Sequence, residues 1–231
     1  YLPPQAGEGD TRLRGNDGTL LVKACPEKSG PQAAYSRKGL VATRMLRLPL
    51  PQIKGEVVKL YMTQNSGNAY KARLLLSMLN VPYDKALVDF PGKEHKKEPF
   101  LKLNPRGQVP VVDDAGRILW GSTACLVYVA RKHGGDKWLP TDPAGMAEVM
   151  QWLELAQNEL YYGLQWARGV KTGIRKVGSY EEYQGYGNTG LAVLEDRLKN
   201  NQWLALGRPT VADVACYPYV SVAPEGGFKL E

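Results

Sequence analysis

The sequence predicts an α/β domain followed by an all-helical one. Three observations carry this. Apolar runs at residues 57–62 and 86–88 flank a stretch, 69–79, whose Leu74, Leu75, Met78 and Leu79 fall on one helical face. Residues 109–112 and 117–120 flank Asp114-Ala115-Gly116, the pattern of an antiparallel hairpin. Beyond residue 143 the apolar positions recur at helical spacing, first at Val149, Leu153, Ala156 and Leu160, then at Leu191, Leu194 and Leu198.

Taken in order, 57–62 is a strand and 63–68 a loop into the helix 69–79, which Asn80-Val81-Pro82 ends. Residues 86–88 form a second strand, and the charged stretch 91–100 reads as an exposed turn or short helix. From Leu101 the chain reads as loop, strand, tight turn, strand and helix. Ser122 stands where an N-cap belongs, ahead of the apolar run 124–130, and Gly134-Gly135 closes that helix. The order βαβ then ββα is that of a thioredoxin-like domain, residues 56–135. Residues 136–142 form a linker, and 143–231 a helical domain. Asp142 is a candidate cap with Pro143 at the first helical position. Trp152 and Trp166 are expected to pack within the helical domain or against the first one. The glycine- and tyrosine-rich stretch 168–190 reads as irregular. Thr210 and Asp213 have the spacing of a capping box ahead of a buried helix, a structural role.

Composition bounds the function. The hydrophobic content of 43% and charged content of 23% suit a globular protein, and no apolar run is long enough to span a membrane. Three cysteines without CxxC spacing argue against a disulfide framework, secretion or a zinc site, so no metal is expected. Cys125 and Cys216 read as packed small residues; Cys25 has no assignable role, and His95 and His133 share no motif. The net charge of +7 is uneven: residues 1–55 hold nine basic and four acidic residues, +5 of the total. These residues read as an extended basic tail, and 28–55 contain no acid, a transit-peptide-like composition. With a start at Tyr1 this fits a processed protein of the cytoplasm or of a plastid or mitochondrial interior.

The phrase "LNPRGQVPVV", a hairpin, then Ser opening a helix that ends "YVARKHGG", resembles the glutathione-binding half of glutathione transferases, most closely the bacterial-type branch with a serine-based site. "RPTVADVACYPYVSVAPEGG" is similar to the helical domain of the same family. The resemblance covers about residues 57–160 and 191–230. It implies a thioredoxin-like domain followed by the all-helical glutathione transferase domain, with glutathione as co-substrate. It implies a cis Pro110 that presents the Val109 backbone to glutathione as an added strand would. It places Gln108, Val109, Pro110, Gly121 and Ser122 at the glutathione site, with Ser122 meeting the γ-glutamyl carboxylate at a helix N-terminus. It also implies a final helix after "APEGG", which this chain is expected to lack.

Conjugation needs a thiolate, and a free thiol titrates near ~8.5. A hydroxyl donor at a helix N-terminus lowers that value. Ser66 in "NSGNAYK" occupies the family's catalytic serine slot. Tyr61 is the second candidate hydroxyl, but its place inside a strand suits packing. Position 69 is Ala, which disfavours the disulfide-exchange chemistry of the cysteine-based classes. Gly121 stands where the family carries Asp or Glu, and Thr123 where it commonly carries Gln. Losing a charged partner to a bound ion costs on the order of 1.5–3 kcal/mol, roughly 10- to 100-fold in affinity.

Three readings follow. The chain is an active glutathione transferase, or a related glutathione-dependent hydrolase or isomerase, expected as a homodimer; or a glutathione-transferase-fold accessory subunit of a larger assembly, with glutathione binding weakened or lost, docked on a protein partner through residues 1–55; or a nucleic-acid binder through that tail. The basic residues are scattered without an aromatic platform, which argues against nucleic acid. The sequence favours the accessory subunit, on the basic tail, the missing helix and Gly121.

Overall fold

The computed structural model describes residues 57–230. The basic tail, its protein partner, its organellar character and Cys25 therefore fall outside the described residues.

Strand β1 (Val58–Met62) alternates buried and less buried positions, as a strand between two layers must. Val58, Leu60 and Met62 enter the main core, while Tyr61 turns to the opposite face and meets Phe100 edge-on, ring centroids 6.2 Å apart. Helix α1 (Gly67–Met78) buries Ala69, Ala72, Leu75 and Leu76 against the first face. Strand β2 (Tyr83–Leu87) runs parallel to β1, longer and earlier than the apolar run 86–88 suggests. It is an edge strand with exposed Asp84 and Lys85, so its pairing leaves little apolar signal. The stretch 91–100 resolves into a 3-10 turn, Glu94–Lys96, and helix α2 (Glu98–Leu103). Helix α2 overrides the expected loop at Leu101, because Phe100 packs on Val88 and Val111.

Strands β3 (Val111–Asp114) and β4 (Arg117–Trp120) complete an antiparallel hairpin, and the sheet order is β2-β1-β3-β4. Pairing with β1 starts at Val111, two residues later than the apolar run suggests. Pro110 has no N–H to give to a ladder, and the Val109–Pro110 bond is cis. Helix α3 (Ser122–Val129) continues as a π-helical stretch, Ala130–Gly134, and closes at Gly135 with φ 60°. Gly121, not Ser122, is its N-cap; Ser122 is the first helical residue, and its hydroxyl bonds elsewhere.

Helix α4 (Pro143–Gln157) is capped by Asp142, which accepts from the Gly145 N–H at 2.8 Å, with Pro143 in the first turn. A π-helical segment, Glu159–Gln165, leads into α5 (Trp166–Lys171). Helix α6 spans Tyr180–Leu198, so the second half of the stretch read as irregular is helical. Glycine lowers helix propensity there, but a Cβ on Gly163 would lie 2.2 Å from the Gly187 nitrogen, and one on Gly187 would lie 2.5 Å from the Phe228 ring. Close backbone approach requires those glycines. Helix α7 (Val211–Val220) is the buried centre of the helical part and opens with the expected capping box: Asp213 accepts from the Thr210 N–H at 2.9 Å, and Thr210 accepts from the Ala212 N–H at 3.2 Å. Trp152 is buried in the same core. The described chain ends beyond a 3-10 turn at Ala223–Gly226. The result is a thioredoxin-like sheet domain with a helical region packed on it, and no described helix is long and apolar enough to cross a membrane.

Candidate active site

The loop after β1 delivers Ser66 to the N-cap of α1 with extended backbone, φ −82° and ψ 111°. Its Oγ accepts from the Ala69 N–H at 3.2 Å. A hydroxyl that accepts in a cap still has its own hydrogen to give. Cap and thiolate donor are therefore compatible roles for one side chain. The next residue must be glycine for space: a Cβ on Gly67 would sit 2.8 Å from the Tyr219 ring.

Ser66 opens onto a cavity of about 440 Å³. One wall comes from the sheet domain: Thr63, Ser66, Asn68, Phe90, Gln108 and Val109. The other comes from the helical region: Tyr161, Gln165, Trp166, residues 174–177 and Tyr219. The loop that carries Gln108 and Val109 is shaped by buried Asn104, whose Nδ2 donates to the Gln108 carbonyl at 2.6 Å and whose Oδ1 accepts from the Arg106 N–H at 3.0 Å. Among the described residues the Val109 N–H and C=O take no hydrogen bond, and Val109 lines the cavity. An extended peptide can use both.

Ser122 is placed differently. It is buried and does not line the cavity. Its Oγ donates to Asn68 Oδ1 at 2.7 Å and accepts from Gln157 Nε2 at 2.9 Å. The Tyr219 hydroxyl donates to the same Asn68 oxygen at 2.5 Å. Four side chains from α1, α3, α4 and α7 thus form one polar knot beside the cavity. Ser66, Gln108 and Val109 come together on the cavity wall; Pro110, Gly121 and Ser122 are not among the lining residues. Sequence reasoning missed Asn68, Asn104, Gln157 and Tyr219. Asn68 lies in "SGNAYK", Asn104 in "LNPRGQVPVV" and Tyr219 in "ACYPYVSV", phrases that carried the resemblance; Gln157 lies in no such phrase.

Next to the knot lies Lys71, fully buried, its Nζ 4.2 Å from the Tyr219 ring centroid and without a hydrogen-bond partner among the described residues. Burial pulls its pKa down to about 7, against a smaller opposing effect of Cys216. Burial also pushes the Cys125 and Cys216 thiols up to about 12, so neither is a thiolate at neutral pH. Tyr61 is packed against Phe100.

A cavity between a thioredoxin-like domain and a helical one, with an N-cap hydroxyl and a free backbone edge, has relatives of known family. The family model described as glutathione S-transferase, N-terminal domain, matches residues 56–131. A solved structure described as a possible glutathione S-transferase from Rhodopseudomonas palustris is 36% identical, with a TM-score of 0.69, over 75% of this chain and 86% of that one. The glutathione S-transferase of Pseudomonas fluorescens Pf-5 is 33% identical, with a TM-score of 0.68, over 75% and 87%. Glutathione S-transferase GstB of Escherichia coli K12 is 29% identical over 71% of this chain and 82% of its own length. With a fold, a cavity and relatives that agree along most of its described length, this chain belongs to the glutathione S-transferase family.

Proposed function

We propose that the chain is an active glutathione transferase that conjugates glutathione to an electrophilic small molecule. One observation carries the reading: the Ser66 hydroxyl and the Val109 backbone, unpaired among the described residues, face one cavity. Glutathione lies along Val109 with its sulfur toward Ser66. Gln108 lines its bed, and Ser122 supports that bed, its hydroxyl bonded to Asn68 on the cavity wall. Gly121 and Pro110 shape the backbone around it. The Ser66 O–H donates to the thiolate, and the first turn of α1 adds its dipole. The thiol proton passes to solvent, and the sulfur attacks the electrophile held against the helical wall.

The transferase relatives support catalysis over an accessory role, which rests on residues 1–55 and on Gly121. The same support makes a homodimer the expected assembly. The test is titration calorimetry with glutathione, paired with a chromogenic conjugation assay on the natural chain and on Ser66→Ala. Millimolar or tighter binding with turnover that collapses in the variant supports the reading. Absence of glutathione binding by the natural chain sinks it.

A further inference from the structure

The helical wall of the cavity carries an unusual mix. Ile174 and Val177 are the two most exposed large hydrophobic residues described, at 75% and 70%. Between them stand Arg175 and Lys176. The Arg175 guanidinium lies 3.6 Å from the centroid of the Trp166 ring. The indole N–H of Trp166 is buried and has no acceptor among the described residues. Neither Arg175 nor Lys176 has an acidic partner among the described residues, and no Asp or Glu lines the cavity. Arg168 on α5, by contrast, is paired with Glu225 at 2.6 Å.

Exposed apolar side chains in a cavity mark a place for an apolar ligand. Unpaired cations and an unsatisfied N–H beside them mark a place for negative charge. Resting on the transferase reading, we propose that the electrophile is an anionic amphiphile: an apolar, aromatic body on Trp166, Ile174 and Val177, with a carboxylate or sulfonate held by Arg175 and Lys176. For an aryl halide of this type the glutathione sulfur forms a bond to the ring carbon. The carbon–halogen bond then breaks, and the halide leaves with the electron pair. The thiol proton has already gone to solvent. The substrate's anionic group stays intact, so these two residues act in binding.

The test uses the full chain with 1-chloro-2,4-dinitrobenzene, which is neutral, and 4-chloro-3,5-dinitrobenzoate, which is anionic. Each kcat/KM is divided by the spontaneous rate with glutathione. The expected result is a corrected preference for the benzoate of about 10- to 100-fold, the scale of charge-assisted hydrogen bonds. The double variant Arg175→Ala, Lys176→Ala loses that preference through KM, the corrected rate of the benzoate falling to that of the neutral substrate with the glutathione KM unaltered. Arg175→Lys keeps most of the preference, which separates charge from folding. Equal corrected rates for the two electrophiles overturn the inference. So does a double variant in which the glutathione KM rises and both electrophiles suffer alike, because the cations then serve glutathione's own carboxylate. Calorimetric binding of glutathione in either case leaves the transferase reading standing; its absence removes both.

Discussion

The Tyr219 hydroxyl on α7 donates to Asn68 Oδ1 on α1 at 2.5 Å, across 151 positions of sequence. The same oxygen accepts from Ser122 at 2.7 Å. Both of its lone pairs are thus spent on joining the sheet domain to itself and to the helical region. The cavity between them takes its shape from this junction.

Asn68→Ala is expected to leave the Ser122 and Tyr219 hydroxyls without their acceptor. Each unsatisfied buried group costs about 1–3 kcal/mol. Tyr219→Phe removes one donor while Ser122 still satisfies the oxygen, at a cost of about 1 kcal/mol. Denaturant unfolding of the two variants checks the order, and a Tyr219→Phe loss equal to that of Asn68→Ala would contradict the shared-acceptor arrangement.

Ser66→Ala removes the proposed donor to the thiolate. The bound thiol then titrates closer to ~8.5, so conjugation falls most at neutral pH and recovers as pH rises. A drop of about 100-fold at pH 7 that shrinks well below that by pH 9 is expected, on the scale of a lost donor to a developing anion. Ser66→Thr keeps a hydroxyl and most of the rate. The cap itself accounts for about 1 kcal/mol of stability in the alanine variant. A uniform loss at every pH would assign Ser66 to positioning instead.

Lys71 gives the protein a pH-dependent stability. Its pKa is about 7 folded against 10.5 for the free group. Between those values the unfolded chain binds more protons, so stability rises as pH increases through the window. Below pH 7 the full cost of burying the ammonium is present, on the order of 5 kcal/mol at most, and the Tyr219 ring face offsets part of it. The Cys216 thiol, whose charge would favour the ammonium, is pushed up to about 12 and stays neutral there. Lys71→Met is expected to flatten the rise and to stabilise most at low pH. Urea midpoints at pH 6.5, 7.5 and 8.5 decide this; parallel curves for the two proteins would exclude it.

Gly121 has φ 89° and nothing within 4 Å of where a Cβ would stand. Gly121→Asp therefore meets backbone strain but no clash, at about 1–3 kcal/mol of stability. If the γ-glutamyl ammonium lies beside this position, the new carboxylate tightens glutathione by about 10-fold or more. Calorimetry on the variant shows whether it does. An unchanged affinity would mean that position 121 does not meet the ammonium.

Much of this was legible in the chain. The apolar run around Leu60, the helical spacings around Leu75 and Leu153, the Asp142-Pro143 start and the Thr210–Asp213 box are local patterns, and local patterns act through neighbours in sequence. Ser66 was legible because its cap position is fixed by the strand before it and the helix after it. The first half of α6 was not legible. Its glycines argue against a helix until Gly163 and Phe228 lie against them, and that is tertiary packing overriding propensity.

The sequence by itself determined the two-part architecture, the hairpin and the hydroxyl at the head of α1, since each depends on residues only a few positions apart. Only the tertiary structure decided that Ser122 bonds Asn68 and Gln157 instead of capping its own helix, that Lys71 is buried over Tyr219, and that Arg175 and Lys176 stand on the cavity wall without an acidic partner among the described residues. Those are contacts between residues from distant parts of the chain. They leave no period and no spacing in the sequence, because they exist only once the helices have closed on the sheet.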